Sequence, residues 1–130
     1  MRHGLATGAV LAAACASLVL AQDAPKKPTY DVKSEVCLKG KVADVRAIPD
    51  WMGHEGVNVT LETQPTQLVH VDVAPSSFLK AMDFPIAPGD DLEVTGTYGR
   101  YDGTTVFLAR QLKKQRVTIS VRDPAGAPVW

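Results

Sequence analysis

Short runs of alternating apolar and polar residues, separated by Gly, Pro, Asn and Asp, follow one another from Ser34 onward. Successive side chains of an extended strand point to opposite faces, so this alternation predicts strands with one buried and one exposed face. Six runs have this character: residues 35–45, 57–62, 67–73, 91–98, 104–112 and 116–121. Short strands at this spacing are typical of a small all-β sandwich or barrel.

One segment, residues 74–83, departs from the alternation. Pro75 suits the start of a helix, and Phe78, Leu79 and Met82 fall on one helical face. The order is therefore three strands, a short helix and then further strands, which is the order of an OB-fold, a Greek-key barrel. The sequence predicts a small five- to six-stranded OB-like Greek-key barrel with one short helix between strands 3 and 4. An open β-sandwich is the alternative.

Glycines and side-chain directions add detail to this barrel. Gly40 and Gly96 fall inside predicted strands, where glycine marks the bends that barrel closure needs. In the third run the valines point inward, so His70 and Asp72 are expected to point outward. Residues 106–109 are continuously apolar, which leaves the facing of the fifth run open.

The first 21 residues have the pattern of a secretory signal peptide. Arg2 supplies the positive start, an uncharged run rich in Ala, Leu and Val follows, and Val19-Leu20-Ala21 suits cleavage. The run is short and Ala-rich for a membrane span, which needs about 20 strongly apolar residues. Lipid attachment at Cys15 is disfavoured because apolar residues follow it. The sequence therefore predicts a periplasmic or secreted protein with no membrane span after cleavage.

Residues 22–33 are polar, contain two prolines and show no apolar period, which predicts a flexible tether. Residues 34–130 would then form the barrel domain. After cleavage, Cys37 is the one cysteine left in the predicted mature chain. An intramolecular disulfide is then impossible, so stability must come from the core.

The charge balance bears on the partner. Lys plus Arg number 14 and Asp plus Glu number 14, so the formal net charge is zero, which argues against a general polyanion binder. The chain nevertheless has basic and aromatic residues near the fifth run, namely Tyr98, Arg100, Tyr101, Arg110, Lys113, Lys114 and Arg116. OB-folds bind single strands with cationic grooves and stacking aromatics. A single-stranded nucleic-acid-binding domain therefore stays an alternative.

Three segments resemble a known family: LVHVDVAPSSFL at 68–79, PGDDLEVTG at 88–96 and SVRDPAGAPVW at 120–130. They are similar to small exported bacterial OB-like domains of the type found in the magnetosome-associated MamS and MamX proteins, over about residues 36–130. This chain has Val73-Ala74-Pro75 where those domains usually have Leu-Gly-Pro, and it lacks their Cys-x-x-Cys-His haem motif. The resemblance therefore implies the fold, but neither a haem-based redox role nor an enzymatic activity.

Outward-facing and loop residues suggest where a partner binds. The predicted partner or ligand face joins His70 and Asp72 to the loop residues Trp51, Met52 and His54. The sequence contains no Gly-x-Ser-x-Gly, phosphate loop or His-Glu-x-x-His motif, so no catalytic residues and no cofactor are predicted. The predicted function is a non-enzymatic periplasmic module that binds another envelope protein or a small ligand.

Three residues are candidate metal ligands. Cys37, His54 and His70 are residue types that exported proteins use to bind copper, but none has a close ligand spacing. The sequence therefore assigns no metal site and leaves a copper-type metal-binding protein as an alternative function.

The tail has a motif of its own, formed by Arg122, Asp123, Gly126, Pro128 and Trp130. A tryptophan has a large apolar area and a single N–H donor, so Trp130 can pin the tail to the barrel. The tail is therefore predicted to be a structural latch.

Overall fold

Six strands, one short α-helix and one turn of 3-10 helix (Val32–Ser34) form the described part of the fold. The structure, a computed structural model, describes residues 29–50, 52–101 and 103–130. The elements are β1 (Val36–Pro49), β2 (Glu55–Gln64), β3 (Gln67–Pro75), α1 (Ser76–Ala81), β4 (Asp91–Tyr101), β5 (Thr104–Lys114) and β6 (Val117–Ser120). The predicted signal peptide, residues 1–21, and residues 22–28 of the predicted tether lie outside the described residues.

The sheet closes on itself, as an OB-like barrel requires. Its strands are neighbours in the order β3-β2-β1-β4-β5-β6, and β3 also pairs with β5. All pairings are antiparallel except β3–β5, which is parallel and joins Val71 to Phe107 and Asp72 to Leu108. The helix α1 lies between β3 and β4 in the chain. The predicted OB-like topology is confirmed, and β6 is an addition that pairs with the end of β5.

Two glycines allow the strands to cross closely. A Cβ atom on Gly40 would collide with the carbonyl oxygen of Glu62, and one on Gly96 would collide with the carbonyl oxygen of Leu108. The β4–β5 register shifts between Thr95 and Gly96, which marks a bulge at that point. Both glycines therefore lie where the backbone of one strand presses on its neighbour.

The core is mainly aliphatic and comes from the inward face of every long strand. Fully buried members include Val59, Leu61, Val71, Val94, Phe107 and Leu112. The apolar run in β5 is buried on both of its faces, which explains why it does not alternate. Phe107 belongs to the barrel core. Leu108 is also fully buried but is not part of that core; it lies beside Gly99, which is also close to the carbonyl oxygen of Thr29.

Candidate binding groove

A groove of about 480 Å³ opens on the outer face of the barrel. It lies between the end of β1, the middle of β2 and β3, and the start of β5. Its lining residues are Arg46, Ile48, Pro49, Asp50, Asn58, Val59, Thr60, His70, Asp72, Thr104 and Val106. In OB-folds, strands 2 and 3 together with the β1–β2 and β4–β5 loops form the usual ligand-binding surface. The groove occupies that surface.

Cross-strand pairing sets the polar floor of the groove. Asn58 is opposite Asp72, and Thr60 is opposite His70, so all four side chains share the outer face of β2 and β3. The Thr60 hydroxyl lies 3.4 Å from Nδ1 of His70. Polar side chains at regular spacing therefore face any ligand in the groove.

Asp50 shapes the β1–β2 loop and closes one end of the groove. Its Oδ1 accepts hydrogen bonds from the backbone N–H groups of Met52 (2.9 Å) and His54 (2.8 Å). Its Oδ2 lies 3.5 Å from Nδ1 of His54. Gly53 has a φ of +83°, which allows the chain to turn between Asp50 and His54. The loop is therefore organised around one carboxylate.

Of the two acidic residues that line the groove, Asp72 is the one without a hydrogen-bond partner among the described residues. It is half-buried, and none of the described residues forms a hydrogen bond or an ion pair with its carboxylate. Burial raises the pKa of Asp72; Arg122 opposes that rise, and the negative charge of Asp50 adds to it. The one basic residue that lines the groove, Arg46, donates from Nε to Asp44 at 2.8 Å. The groove therefore has an acidic end.

The tail folds back on the barrel as a tight hairpin. Arg122 pairs with Pro128 in an antiparallel bridge, and Oδ1 of Asp123 accepts from the backbone N–H groups of Ala125 (2.9 Å) and Ala127 (3.0 Å). Gly126 has a φ of +91°, which favours glycine. The motif residues of the tail thus form one hydrogen-bonded turn.

Aromatic rings enclose the guanidinium of this turn. Arg122 is buried, donates from Nη1 to the carbonyl oxygen of Gly126 at 2.8 Å, and lies over the rings of Tyr30 and Trp130. Trp130 packs against the core, with its ring centroid 6.3 Å from that of Phe78. Burial lowers the pKa of Arg122. The tail is therefore held by both apolar packing and cation–π contact.

An ion pair ties the N-terminal segment to β5. Arg110 donates from Nη2 to Oε1 of Glu35 at 2.8 Å and from Nε to Oε2, and the Tyr30 hydroxyl also donates to Oε2. The hydrogen bonds from Arg110 lower the pKa of Glu35 below its ordinary value. Tyr30 thus contacts the folded unit, although the sequence predicts a flexible tether over residues 22–33.

A comparison with protein families identifies the domain. The MamS/MamX magnetosome protein family matches residues 35–119. This range contains α1 and all six strands, apart from Ser120 at the end of β6. The chain belongs to this family. No curated protein matches it.

Solved structures similar to this MamS/MamX domain share its fold at low sequence identity. The N-terminal domain of PriB from Thermoanaerobacter tencongensis, a dimeric structure, has 16% identity and a TM-score of 0.53, over 65% of this chain and 99% of that one. The Stn1-Ten1 complex of S. pombe has 12% identity and a TM-score of 0.50. That alignment covers 64% of this chain and 59% of the other. At these identities the likeness shows the fold alone.

The structure separates the predicted face into two parts. His70 and Asp72 line the groove, whereas Met52 and His54 are exposed on the loop that Asp50 organises. Trp51 lies outside the described residues. Sequence reasoning missed Asp50, although the sequence Pro-Asp ahead of Gly53 is a turn signal.

The candidates for other roles lie apart from the groove floor. Cys37 is exposed on β1, and across residues 29–50, 52–101 and 103–130 no three His, Cys, Asp or Glu side chains come together as a metal site would require. Arg110 binds Glu35, and Lys114 lies 3.3 Å from Asp90. The basic residues of β5 are thus partly engaged within the protein.

None of the helices that the structure describes has the length and apolar character needed to cross a membrane.

Proposed function

We propose that this MamS/MamX domain is an exported, non-enzymatic binding module of the bacterial periplasm. Its groove would bind another envelope protein or a small ligand. The signal-like segment at residues 1–21 supports export, and the absence of known hydrolase, phosphate-loop and metalloprotease motifs from the sequence supports a binding role.

The observation that carries this proposal is the groove itself. It is concave, and apolar walls from Ile48, Pro49 and Val106 flank a polar floor. Ligand sites generally combine such walls with a few placed polar groups. Asp72 supplies one such group, since its carboxylate has no hydrogen-bond partner among the described residues. A bound molecule would supply the missing partner.

Site-specific photocrosslinking in the living bacterium tests the proposal. A benzophenone amino acid is placed at His70 in the groove and, as a matched control, at exposed Lys113 on β5. We expect light-dependent adducts at position 70 that are absent at position 113, in a periplasmic fraction. Identical adducts at both positions, no adduct from the groove, or a cytoplasmic location would contradict it. A protease-sensitive adduct identifies a protein partner, and a nuclease-sensitive adduct would contradict the proposal.

A further inference from the structure

The groove continues toward a second hollow that makes the bound molecule more specific. This hollow, of about 220 Å³, has His70 and Val106 in common with the groove. Its lining adds Leu68 and Tyr98, whose exposed fractions are 56% and 49%. Large apolar side chains at such exposure form a surface that a partner can cover. We call Leu68 and Tyr98 the apolar shelf.

Three side chains of β3 face this extended surface in sequence. The outer face of β3 carries, at every second position, Leu68, His70 and Asp72. Leu68 lies at the shelf and Asp72 lies at the acidic end of the groove. Four residues of strand span about 13 Å. The apolar and acidic points are therefore separated by the length of a short extended peptide.

The strand edges beside this surface are open. Only Val71 and Asp72 of β3 pair with β5. Within the described chain, residues 67–70 of β3 therefore pair with β2 alone, and residues 104–106 of β5 pair with β4 alone. Unpaired backbone N–H and C=O groups on a strand edge readily pair with another extended chain. This favours a polypeptide as the occupant.

The acidic residues of the groove favour a basic polypeptide. Asp50 and Asp72 lie at one end, where the exposed Arg46 bonds Asp44 and the buried Arg122 acts on Asp72 from inside the fold. An acidic end attracts an ammonium or guanidinium group and repels the phosphates of an oligonucleotide. Charge and open edges therefore point to the same class of partner.

We infer that the groove binds an extended basic segment of a partner protein. A Lys or Arg side chain lies against Asp72, an apolar side chain about four residues away covers the shelf, and the main chain pairs with the open edge of β3. This inference rests on the proposed function, because it names the occupant of the same groove.

Selection from a library of random nine-residue peptides, displayed on phage, tests the inference on the exported full chain. We expect the enriched peptides to carry a basic and an apolar residue about four positions apart. A synthetic copy of an enriched peptide should bind the Asp72→Asn protein at least tenfold more weakly than the wild type. The matched control is Asp91→Asn, an acid-to-amide change at a strongly exposed site that lines neither hollow, and it should leave binding unchanged.

Methylation of single backbone nitrogens in the peptide tests strand pairing. Methyl groups on alternate amides should weaken binding, while those on the amides between them are tolerated, because only one edge of a strand faces β3. Uniform tolerance would overturn the pairing.

The inference fails if no peptide is enriched, if enriched peptides lack a basic residue, or if Asp72→Asn binds as Asp91→Asn does. Groove-specific crosslinks to a small molecule, or to a protein through a non-basic segment, would then leave the proposed function intact, whereas crosslinks to a nucleic acid would contradict it. If position 70 also gives no specific crosslink, both proposals fail.

Discussion

Arg122 lies over the ring of Trp130, with its guanidinium carbon 5.6 Å from the ring centroid. The ring of Tyr30 lies at the same distance from that carbon. Residues from the two ends of the described chain thus meet around one buried charge. Because a buried guanidinium loses hydration, contact with two ring faces compensates part of that loss.

Replacing Trp130 with alanine should destabilise the fold. The substitution removes ring packing against Phe78 and the core as well as the contact with Arg122. We expect a loss of about 2–4 kcal/mol in the free energy of unfolding, measured by urea denaturation with circular dichroism. The control Val129→Ala, at an exposed site, should change it by less than about 0.5 kcal/mol. Equal effects of the two substitutions would show that the tail does not stabilise the barrel.

Gly126→Ala should be more harmful than Gly89→Ala. Both glycines have positive φ, +91° and +95°, so both substitutions strain the backbone. A Cβ atom at position 126 would also lie only 2.6 Å from Cδ1 of the Tyr30 ring, which is too close. A Cβ atom at position 89 would have no other atom within 4 Å. We expect an additional loss of about 1–3 kcal/mol at Gly126, measured by thermal and urea unfolding. A Tyr30→Ala change should remove that difference, and its persistence would contradict the steric explanation.

The Glu35–Arg110 pair should make stability depend on acid pH. The pKa of Glu35 is lowered in the folded protein, chiefly by the hydrogen bonds from Arg110. Its contribution is therefore present above the ordinary pKa of a glutamate, about 4.3, and is lost as the pH falls through the lower folded value. We expect Glu35→Gln to lose about 1–3 kcal/mol at pH 7, because Arg110 loses its charged acceptor.

The measurement for this pair is the urea midpoint of both proteins from pH 7 to pH 2. The difference between wild type and Glu35→Gln should shrink in the acid range. The control Asp44→Asn breaks the exposed pair with Arg46 and should change stability by less than about 1 kcal/mol at neutral pH. A difference that stays constant down to pH 2 would contradict the assignment.

Asp72→Asn should stabilise the fold while it weakens binding. The pKa of Asp72 is raised in the folded protein, mainly by burial, so its charged form opposes folding at neutral pH. We expect the variant to unfold at a higher urea concentration at pH 7. This gain should disappear as the pH falls through the raised folded pKa toward the ordinary value, since the wild-type carboxyl is then also neutral. Destabilisation at pH 7 would instead show that the carboxylate has a structural partner.

The strand pattern could be predicted because alternation depends only on neighbouring residues. The valines of β3 are buried, and His70 and Asp72 line an outer groove, as alternation indicated. In β5 alternation failed, because Leu108 is fully buried beside Gly99 of β4 although its neighbour Phe107 is buried as well.

The site was only partly predictable for a related reason. Asp50 belongs to the β1–β2 loop and Asp72 to β3, and no local pattern shows that closure places them at one end of a groove. Arg110 is one of the basic residues that keep a nucleic-acid groove as an alternative, yet it bonds Glu35, which lies 75 positions away.

The sequence by itself determined the strand order, the short helix, the bends at Gly40 and Gly96, and the outward direction of His70 and Asp72. These features follow from side-chain periodicity and backbone freedom, which act over a few residues. Only the tertiary structure decided that Tyr30 and Trp130 enclose Arg122 and that an acidic groove lies beside open strand edges. Both arrangements depend on where barrel closure brings distant segments together, because burial and charge are set by the neighbours that closure supplies.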